Sequence, residues 1–545
     1  MATTKAKESE NDLAKGSVSS AYSLIALQIL SRLATFTLNQ LLLRLASPKV
    51  FGTAAIQLDL LLSTVLFLSR EGVRNALLRV PRETSSSIQV VNVSTLPVLI
   101  GSPLALGLTL GYRAIASPAT RAQPHFDEAI LIYALAALLD LLSEPLHNRA
   151  QSQMRFNIRV RAEGAGIIAR SVCTVAALAI AGEKWSLLAF AGGQLAYAGS
   201  VLFSYIMAFR NEGIQLVPRR AQEQGKSTVP FDSGSFKLAL TMTGQSVFKH
   251  FLTEGDRIVV SRVSPLEDQG GYAVASNYGS LVARILFQPI EESSRLYFSK
   301  ILSPKSTTES KSKEETPVPV SKASLTQATT TLESILFLHS HLALALTTLL
   351  APLIPFLSAF LLPPRYRSTA APRILRAYCA YIPAMGANGI LEAFVHATAS
   401  PAQLKIQARW MIFFSLTFVA VVTLGASGLL GVEWDDTMLV WANVVNLGSR
   451  ALYGWIFAKG YFGERGGDSV SFKNVRPCIP GIVAFGLSAI VARWSEMNFD
   501  QRGQRFKHAG LCIGCGVVSL VICLWVDRMR FLDMFKAIQG RKKVD

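Results

Sequence analysis

Apolar runs of helix length recur from one end of this chain to the other, each closed by a short polar or basic loop. In hydrocarbon, backbone N–H and C=O groups have no water to bond, so a run of about 20 apolar residues satisfies itself only as a helix. About fourteen such runs are legible, at residues 18–45, 51–78, 88–112, 128–147, 161–181, 185–208, 235–262, 271–301, 329–361, 371–398, 402–428, 437–458, 478–494 and 508–527. Half of the 545 residues are hydrophobic, 17% are charged and the mean hydropathy is +0.35, a balance that soluble domains rarely reach. The chain reads as an all-α polytopic membrane protein. No cleavable signal peptide is evident, because the first run is too long and contains Arg32.

A net charge of +18 suggests nucleic acid in a soluble protein. Here the Lys and Arg residues concentrate in alternate loops, which is the pattern of cytosolic loops, and no nucleic-acid partner is expected. The basic loops follow even-numbered runs and include Arg70, Arg74, Arg79, Arg149, Arg155, Arg219 and Lys305. Arg70, Arg74 and Arg79 read as ordinary anchors at the cytosolic interface. The bias is roughly three to one and puts both termini in the cytosol, which requires an even number of spans. The expected organisation is a tail at 1–16, a six-helix bundle at 17–212, a cytosolic linker at 213–233 and a second six-helix bundle at 234–460. A Ser/Thr/Lys/Glu-rich cytosolic linker, 303–326, lies inside the second bundle; two further helices follow at 475–527, then a basic tail at 528–545. The sequon Asn92-Val93-Ser94 falls at a cytosolic end and is expected to be unused. Cys512 and Cys515, in the last run, are read as having no second Cys pair and no nearby His, and so as small packing residues rather than a metal or redox site.

The two halves resemble each other. A shift of 217 residues sets Gln28 on Gln245, Arg32 on Lys249 and Asn39 on Asp256; a shift of 220 sets Gln57 on Asn277, Thr64 on Arg284 and Glu71 on Glu291. Matched intramembrane polar residues are harder to obtain by chance than matched apolar ones. The expectation is a parallel repeat of two bundles around a central cavity. In the eighth run Asn277, Ser280, Arg284, Gln288, Glu291 and Arg295 fall on one stripe of a 3.6-residue period. Ionised groups in hydrocarbon are costly, so such a stripe points into a bundle or a wet cavity. The candidate substrate-binding residues are therefore Arg32, Asn39, Gln57, Glu71, Gln245, Lys249, Asp256, Asn277, Arg284, Gln288, Glu291 and Arg450. Glu254 and Arg257 lie off that stripe and read as an i,i+3 structural or gating pair. Glu144, Glu392 and Asn446 are further intramembrane polar residues. The plainer alternative for all of them is ion pairing that fixes helix packing.

Cations and amides in a wet cavity suit a large polar anion, because guanidinium grips phosphate oxygens in a bidentate fork. A membrane glycosyltransferase is a distant alternative. It needs acidic groups in a sizeable luminal loop, and Glu433, Asp435 and Asp436 form only an isolated acidic turn. No phosphate-binding glycine loop, zinc helix or nucleophile elbow is present, so neither catalysis nor a cofactor is expected.

Four segments carry a family resemblance: Arg70-Glu71-Gly72-Val73-Arg74, Leu252-Thr253-Glu254-Gly255-Asp256-Arg257, Gly279–Ser293 with its Phe287-Gln288-Pro289-Ile290-Glu291-Glu292 core, and Asn388-Gly389-Ile390-Leu391-Glu392-Ala393-Phe394. They resemble the Rft family of endoplasmic reticulum oligosaccharide translocation proteins. The resemblance implies the fold of the multidrug/oligosaccharidyl-lipid/polysaccharide exporters and a role in N-glycosylation. It implies movement of Man5GlcNAc2-PP-dolichol from the cytosolic to the luminal leaflet, with membrane lipid and other proteins of that pathway as partners. An accessory, non-flipping role in the same pathway is the second reading. Lys542 and Lys543, third and fourth from the end, resemble a dilysine retrieval signal.

Overall fold

The computed structural model describes residues 37–78, 88–219, 222–223, 226–227, 231–302, 321–427, 435–498 and 504–532. Arg32, Lys542, Lys543, most of the 303–326 linker and Glu433 lie outside the described residues, as do the side chains of Gln245, Lys249 and Arg284.

The protein is an all-α polytopic membrane protein. In chain order the long helices are α1 (37–45), α2 (Pro48–Leu77), α3 (Ile88–Ile115), α4 (Phe126–Ser152), α5 (Phe156–Ala181), α6 (Ser186–Phe209) and α7 (Ser233–Val263). They continue as α8 (266–301), α9 (Lys322–Leu361), α10 (Ala371–Thr398), α11 (Pro401–Ala426), α12 (Thr437–Glu464), α13 (Ile479–Asn498) and α14 (Arg505–Val526). The described part of the 213–233 loop adds a hairpin of two-residue strands, Gln222–Glu223 and Lys226–Ser227. Among the described residues, eight helices are apolar and long enough to cross a membrane by length and composition. Among those that miss that threshold are α7, α8, α10 and α12, the helices that carry most of the intramembrane ionisable residues.

The chain divides into two compact units, Met1–Glu254 and Gly255–Asp545. The division falls inside α7. Residues 233–254 of α7 pack with α2 and α3, where Val73, Ala76, Val93, Leu96, Ala239 and Met242 form one core. Gly72 permits that approach: a Cβ there would meet Thr243 at 2.2–2.5 Å, closer than any side chain tolerates. A second core of the same unit joins α4, α5 and α6 through Leu146, Ile158, Val201, Tyr205 and Phe209. In the other unit α8, α9, α10 and α12 meet around Phe298, Leu325, Leu336, Phe394 and Phe462. The α10–α11 corner is set locally. Ser400 and Gln403 form a capping box, and Pro401 occupies the first turn, where no N–H is required.

Among the described residues three π turns interrupt the long helices, at Thr53–Leu58, Ala283–Phe287 and Leu346–Leu350. Two have a cause in the sequence. Pro289 and Pro352 follow them, and each lacks the N–H that would close an α turn onto the carbonyl four residues back. The turn in α8 corrects the straight polar stripe. A π turn holds one residue more than an α turn, so residues after it are rotated by roughly 100° relative to those before it. Asn277 and Ser280 thus share one face, and Gln288, Glu291 and Arg295 another.

Candidate functional site

In the N-terminal unit the strongest polar construction is an ion-pair cluster between α2 and α4. Glu144 is completely buried. Arg74 reaches it with two donors, Nε to Oε2 at 2.8 Å and Nη2 to Oε1 at 2.5 Å. Arg70 adds Nη1 to Oε1 at 3.2 Å and lies 3.5 Å from Asp140, one helical turn earlier on α4. Charge-assisted, forked bonds of this kind are the ones able to offset the desolvation of a buried carboxylate. Reading Arg70 and Arg74 as interface anchors is therefore corrected: they turn inward and clamp α2 to α4. A second tie, which spacing along the chain does not reveal, joins Asp59 on α2 to Arg170 on α5 at 3.1 Å, with Tyr133 at 3.5 Å.

Other candidates in this unit are engaged in packing. Gln57 is buried, and its Oε1 accepts from Tyr112 and from Thr120 at 3.2 Å. Glu71 accepts from Asn75 Nδ2 at 3.2 Å, within its own helix. Asn39 is exposed on α1. Thr64 meets His250 Nε2 of α7 at 2.8 Å. Asn92, the sequon residue, is completely buried. Its Nδ2 donates to the Arg219 carbonyl, and its Oδ1 accepts from Gln215 and the Arg219 N–H. A glycan has no access to that nitrogen.

In the second unit the polar residues of α8, α10 and α12 converge. Glu392 on α10 accepts two bonds from Arg450 Nη2 on α12, at 3.0 and 3.2 Å, and one from Asn388 Nδ2 at 2.9 Å; His396 lies 3.4 Å away. Glu291 of α8 lies over Gly389 of α10, its Oε2 3.3 Å from where a Cβ would stand, and pairs with Arg295 at 3.8 Å. Gln288 donates to Glu292 at 3.1 Å. Asn277 is exposed, and Asp256 accepts from Tyr272 at 2.8 Å and from the Arg257 N–H. Glu254 and Arg257 are half-buried on α7. Arg450 and Glu392 thus tie α12 to α10. Arg376 with Glu496 is a further tie, between α10 and α13, that no sequence motif announces.

Among the described residues no group of three or more His, Cys, Asp or Glu side chains is arranged to hold a metal. Cys512 does have a histidine neighbour. His508, one turn earlier, lies 3.7 Å from its sulfur, but His508 is committed to Ser495 and the Pro352 carbonyl.

The chain matches the family model described as Rft protein over residues 16–537. It is 33% identical to the Man(5)GlcNAc(2)-PP-dolichol translocation protein RFT1 of Yarrowia lipolytica, over 98% of this chain and 83% of that one. It is 31% identical to the mouse (Mus musculus) protein of the same name, over 93% and 92%. For the Saccharomyces cerevisiae protein of that name the identity is 27%, over 95% of each. Among solved structures, "Lipid II flippase MurJ, inward closed conformation" superposes with a TM-score of 0.59 at 16% identity, covering 92% of this chain and 98% of that one. A multidrug resistance MATE family transporter of the MOP superfamily, in an inward-facing conformation, superposes with a TM-score of 0.52 at 11% identity, over 80% and 98%. These two likenesses establish the exporter fold, and the match over nearly the whole length establishes the lineage: the chain belongs to the Rft family.

Proposed function

We propose that this protein translocates the lipid-linked oligosaccharide Man5GlcNAc2-PP-dolichol from the cytosolic to the luminal leaflet of the endoplasmic reticulum membrane. The observation that carries the reading is membership of the Rft family over residues 16–537, with relatives named for that translocation. The exporter fold supports it. A diphosphate-linked sugar chain cannot cross bare hydrocarbon, because each unpaired hydroxyl costs several kcal/mol. A protein that replaces the lost water contacts lowers that barrier while the tail stays in lipid.

The residues proposed to meet the headgroup are Arg284, Asn277 and Gln288 on α8, with Arg32, Gln245 and Lys249. Gln57, Glu71 and Arg450 act by holding helices in place. Both termini are proposed to be cytosolic, with Lys542 and Lys543 as the retrieval signal. No ATP-binding motif is present in the sequence, so transport is passive or ion-coupled. The test is purified protein in vesicles with labelled Man5GlcNAc2-PP-dolichol. Faster loss of one leaflet's pool than in protein-free vesicles is expected. Saturable binding with unchanged exchange would assign the chain an accessory role instead.

A further inference from the structure

At the shared end of α2, α3 and α4 lies a pocket of about 370 Å³, within the range that holds small ligands. Here α2 ends at Leu77, α3 begins at Ile88 and α4 ends at Ser152, so the pocket stands where these helices leave hydrocarbon for water. Its floor is apolar, made by Leu77, Val90, Val91 and Leu146. Its rim is polar and comes from the end of α4 and from the chain after α6: Arg149, Gln153, Glu212 and Arg219. A basic rim over an apolar floor at this depth is the pattern of a site for a lipid headgroup.

The rim has a surplus of positive charge. Glu212 is the acidic residue of the lining, and both its oxygens are engaged, Oε2 by Arg149 Nη2 at 3.2 Å and Oε1 by Arg155 Nη1 at 2.6 Å. Arg149 also holds the Gly213 carbonyl at 2.7 Å. Arg219 is less committed. Its side chain is exposed, and Nη2 donates to the Ile214 carbonyl at 3.4 Å. Its Nε and Nη1 have no hydrogen-bond partner among the described residues. Gln153 is exposed as well. Its Oε1 accepts from Arg155 at 3.4 Å, and its Nε2 has no partner among the described residues. These donors are open to a ligand. Three guanidinium groups around one engaged carboxylate select an anion, and the free planar edge of Arg219 suits a pair of phosphate oxygens.

A soluble anion would use the rim and leave the apolar floor wet. A phospholipid uses both, because its phosphate lies at the interface and its acyl chains begin just below. A choline headgroup would bring a cation of its own against the surplus of arginine, so the charge favours an anionic lipid. We propose that this pocket holds the headgroup of an anionic phospholipid, from the leaflet that is cytosolic on the orientation read from Lys and Arg. Arg219 and Gln153 donate to its phosphate oxygens, and the floor covers the first methylenes of its acyl chains. Arg219 belongs to the connector between α6 and α7, whereas Gln153 follows α4. A lipid held by both fastens the connector to the bundle, beside the bonds that Asn92 makes to Gln215 and to the Arg219 backbone. This lipid is a resident ligand and not the cargo, so the inference stands apart from the translocation reading.

The test uses the full chain in vesicles of phosphatidylcholine and phosphatidylinositol in equal amounts. Native mass spectrometry counts the lipids that stay on the protein after transfer to detergent. Phosphatidylinositol is expected to be retained at least tenfold over phosphatidylcholine. Arg219→Gln should remove that preference, and Arg219→Lys should keep part of it. Lys473→Gln, which removes an exposed basic residue outside the pocket, should leave it unchanged. If Arg219→Gln is poorly produced, a phosphatidylinositol with a diazirine on its inositol decides the matter on the wild-type chain, with label expected in peptides covering 145–153 and 212–219. Equal retention of the two lipids, an equal loss with Lys473→Gln, or label confined to other peptides would overturn the proposal. Displacement of the retained lipid by soluble glycerophosphoinositol at equal concentration would assign the pocket to a soluble phosphate ester and would overturn it too.

Discussion

Removing one arginine from the α2–α4 cluster tests whether those charges are structural. Arg74→Met deletes the 2.8 and 2.5 Å bonds to Glu144 and leaves that completely buried carboxylate with Arg70 at 3.2 Å. Stranding a buried charge costs about 3–5 kcal/mol when nothing else pairs with it. Arg70 remains and Arg74 is 21% exposed, so the expected loss is about 2–3 kcal/mol, roughly 30- to 150-fold in the folding equilibrium. Arg74→Lys keeps the charge but not the fork and should lose about 1 kcal/mol. The double change Arg74→Met with Glu144→Leu removes both stranded partners, and Arg70 keeps Asp140 at 3.5 Å. It should return to within about 1 kcal/mol of wild type. The assay is reversible unfolding in mixed micelles against the mole fraction of dodecyl sulfate, followed by tryptophan fluorescence. If Arg74→Met costs under about 0.5 kcal/mol, as exposed ion pairs do, the clamp is not holding α2 to α4 and the reasoning fails.

At Gly279 a Cβ would stand 2.1 Å from the Tyr378 ring, so Gly279→Val should lower the unfolding midpoint by at least the 1–3 kcal/mol typical of overpacking; an unchanged midpoint would mean α8 and α10 are not that close. Asn92→Ala should cost about 2–3 kcal/mol by orphaning the Arg219 and Gln215 groups it holds, and should open the 213–219 loop to protease without any change on glycosidase treatment. A mobility shift on glycosidase treatment of the wild type would contradict the buried position of the side chain. Arg284→Ala should abolish oligosaccharide translocation at normal abundance, and Arg284→Lys should recover part of it. Loss of protein that is rescued, along with activity, by Arg284→Met with Glu291→Gln would make it a packing residue instead. A glycosylation acceptor placed in 303–326 should stay unmodified and one near Gly431 should be modified; the opposite pattern reverses the orientation read from Lys and Arg.

The helices were legible because lipid leaves the backbone no alternative, and their order along the chain follows the apolar runs closely. Partners were not legible, for a physical reason. An arginine at a span end has the same sequence appearance whether it reaches the interface or turns inward, and only the carboxylate on another helix decides. Glu144 was visible as an anomaly, but nothing linked it to Arg70 and Arg74. Asp59 carries no such mark: one acid inside an apolar run has the appearance of a boundary residue until Arg170 of another helix completes it. The bend in the α8 stripe was legible in principle. Pro289 stood inside the motif, and a proline deep in a membrane helix announces a local change of period. His508, four residues before Cys512, was likewise in plain view.

The two halves are alike in polar residues and unlike in how they use them. Each has a glutamate on the fourth helix of its repeat, Glu144 on α4 and Glu392 on α10, with a histidine one turn later and arginine bonded to it. The arginines come from different helices: from α2 in the first half, from α12 in the second. A shift of 220 carries Arg70 and Arg74 to Ile290 and Ser294, so α8 has no cation at the two positions that make the clamp on α2. It approaches α10 through Gly279 and Gly389, and the polar groups after its π turn bond within α8, Gln288 to Glu292 and Glu291 to Arg295. Intrahelical pairs between exposed side chains are worth only a few tenths of a kcal/mol and are readily exchanged for a ligand. The buried clamp on α2 is not. Headgroup contacts are therefore expected on α8 rather than on its counterpart α2, and alanine at Gln288 should weaken translocation with little effect on stability, whereas alanine at Arg74 should do the opposite.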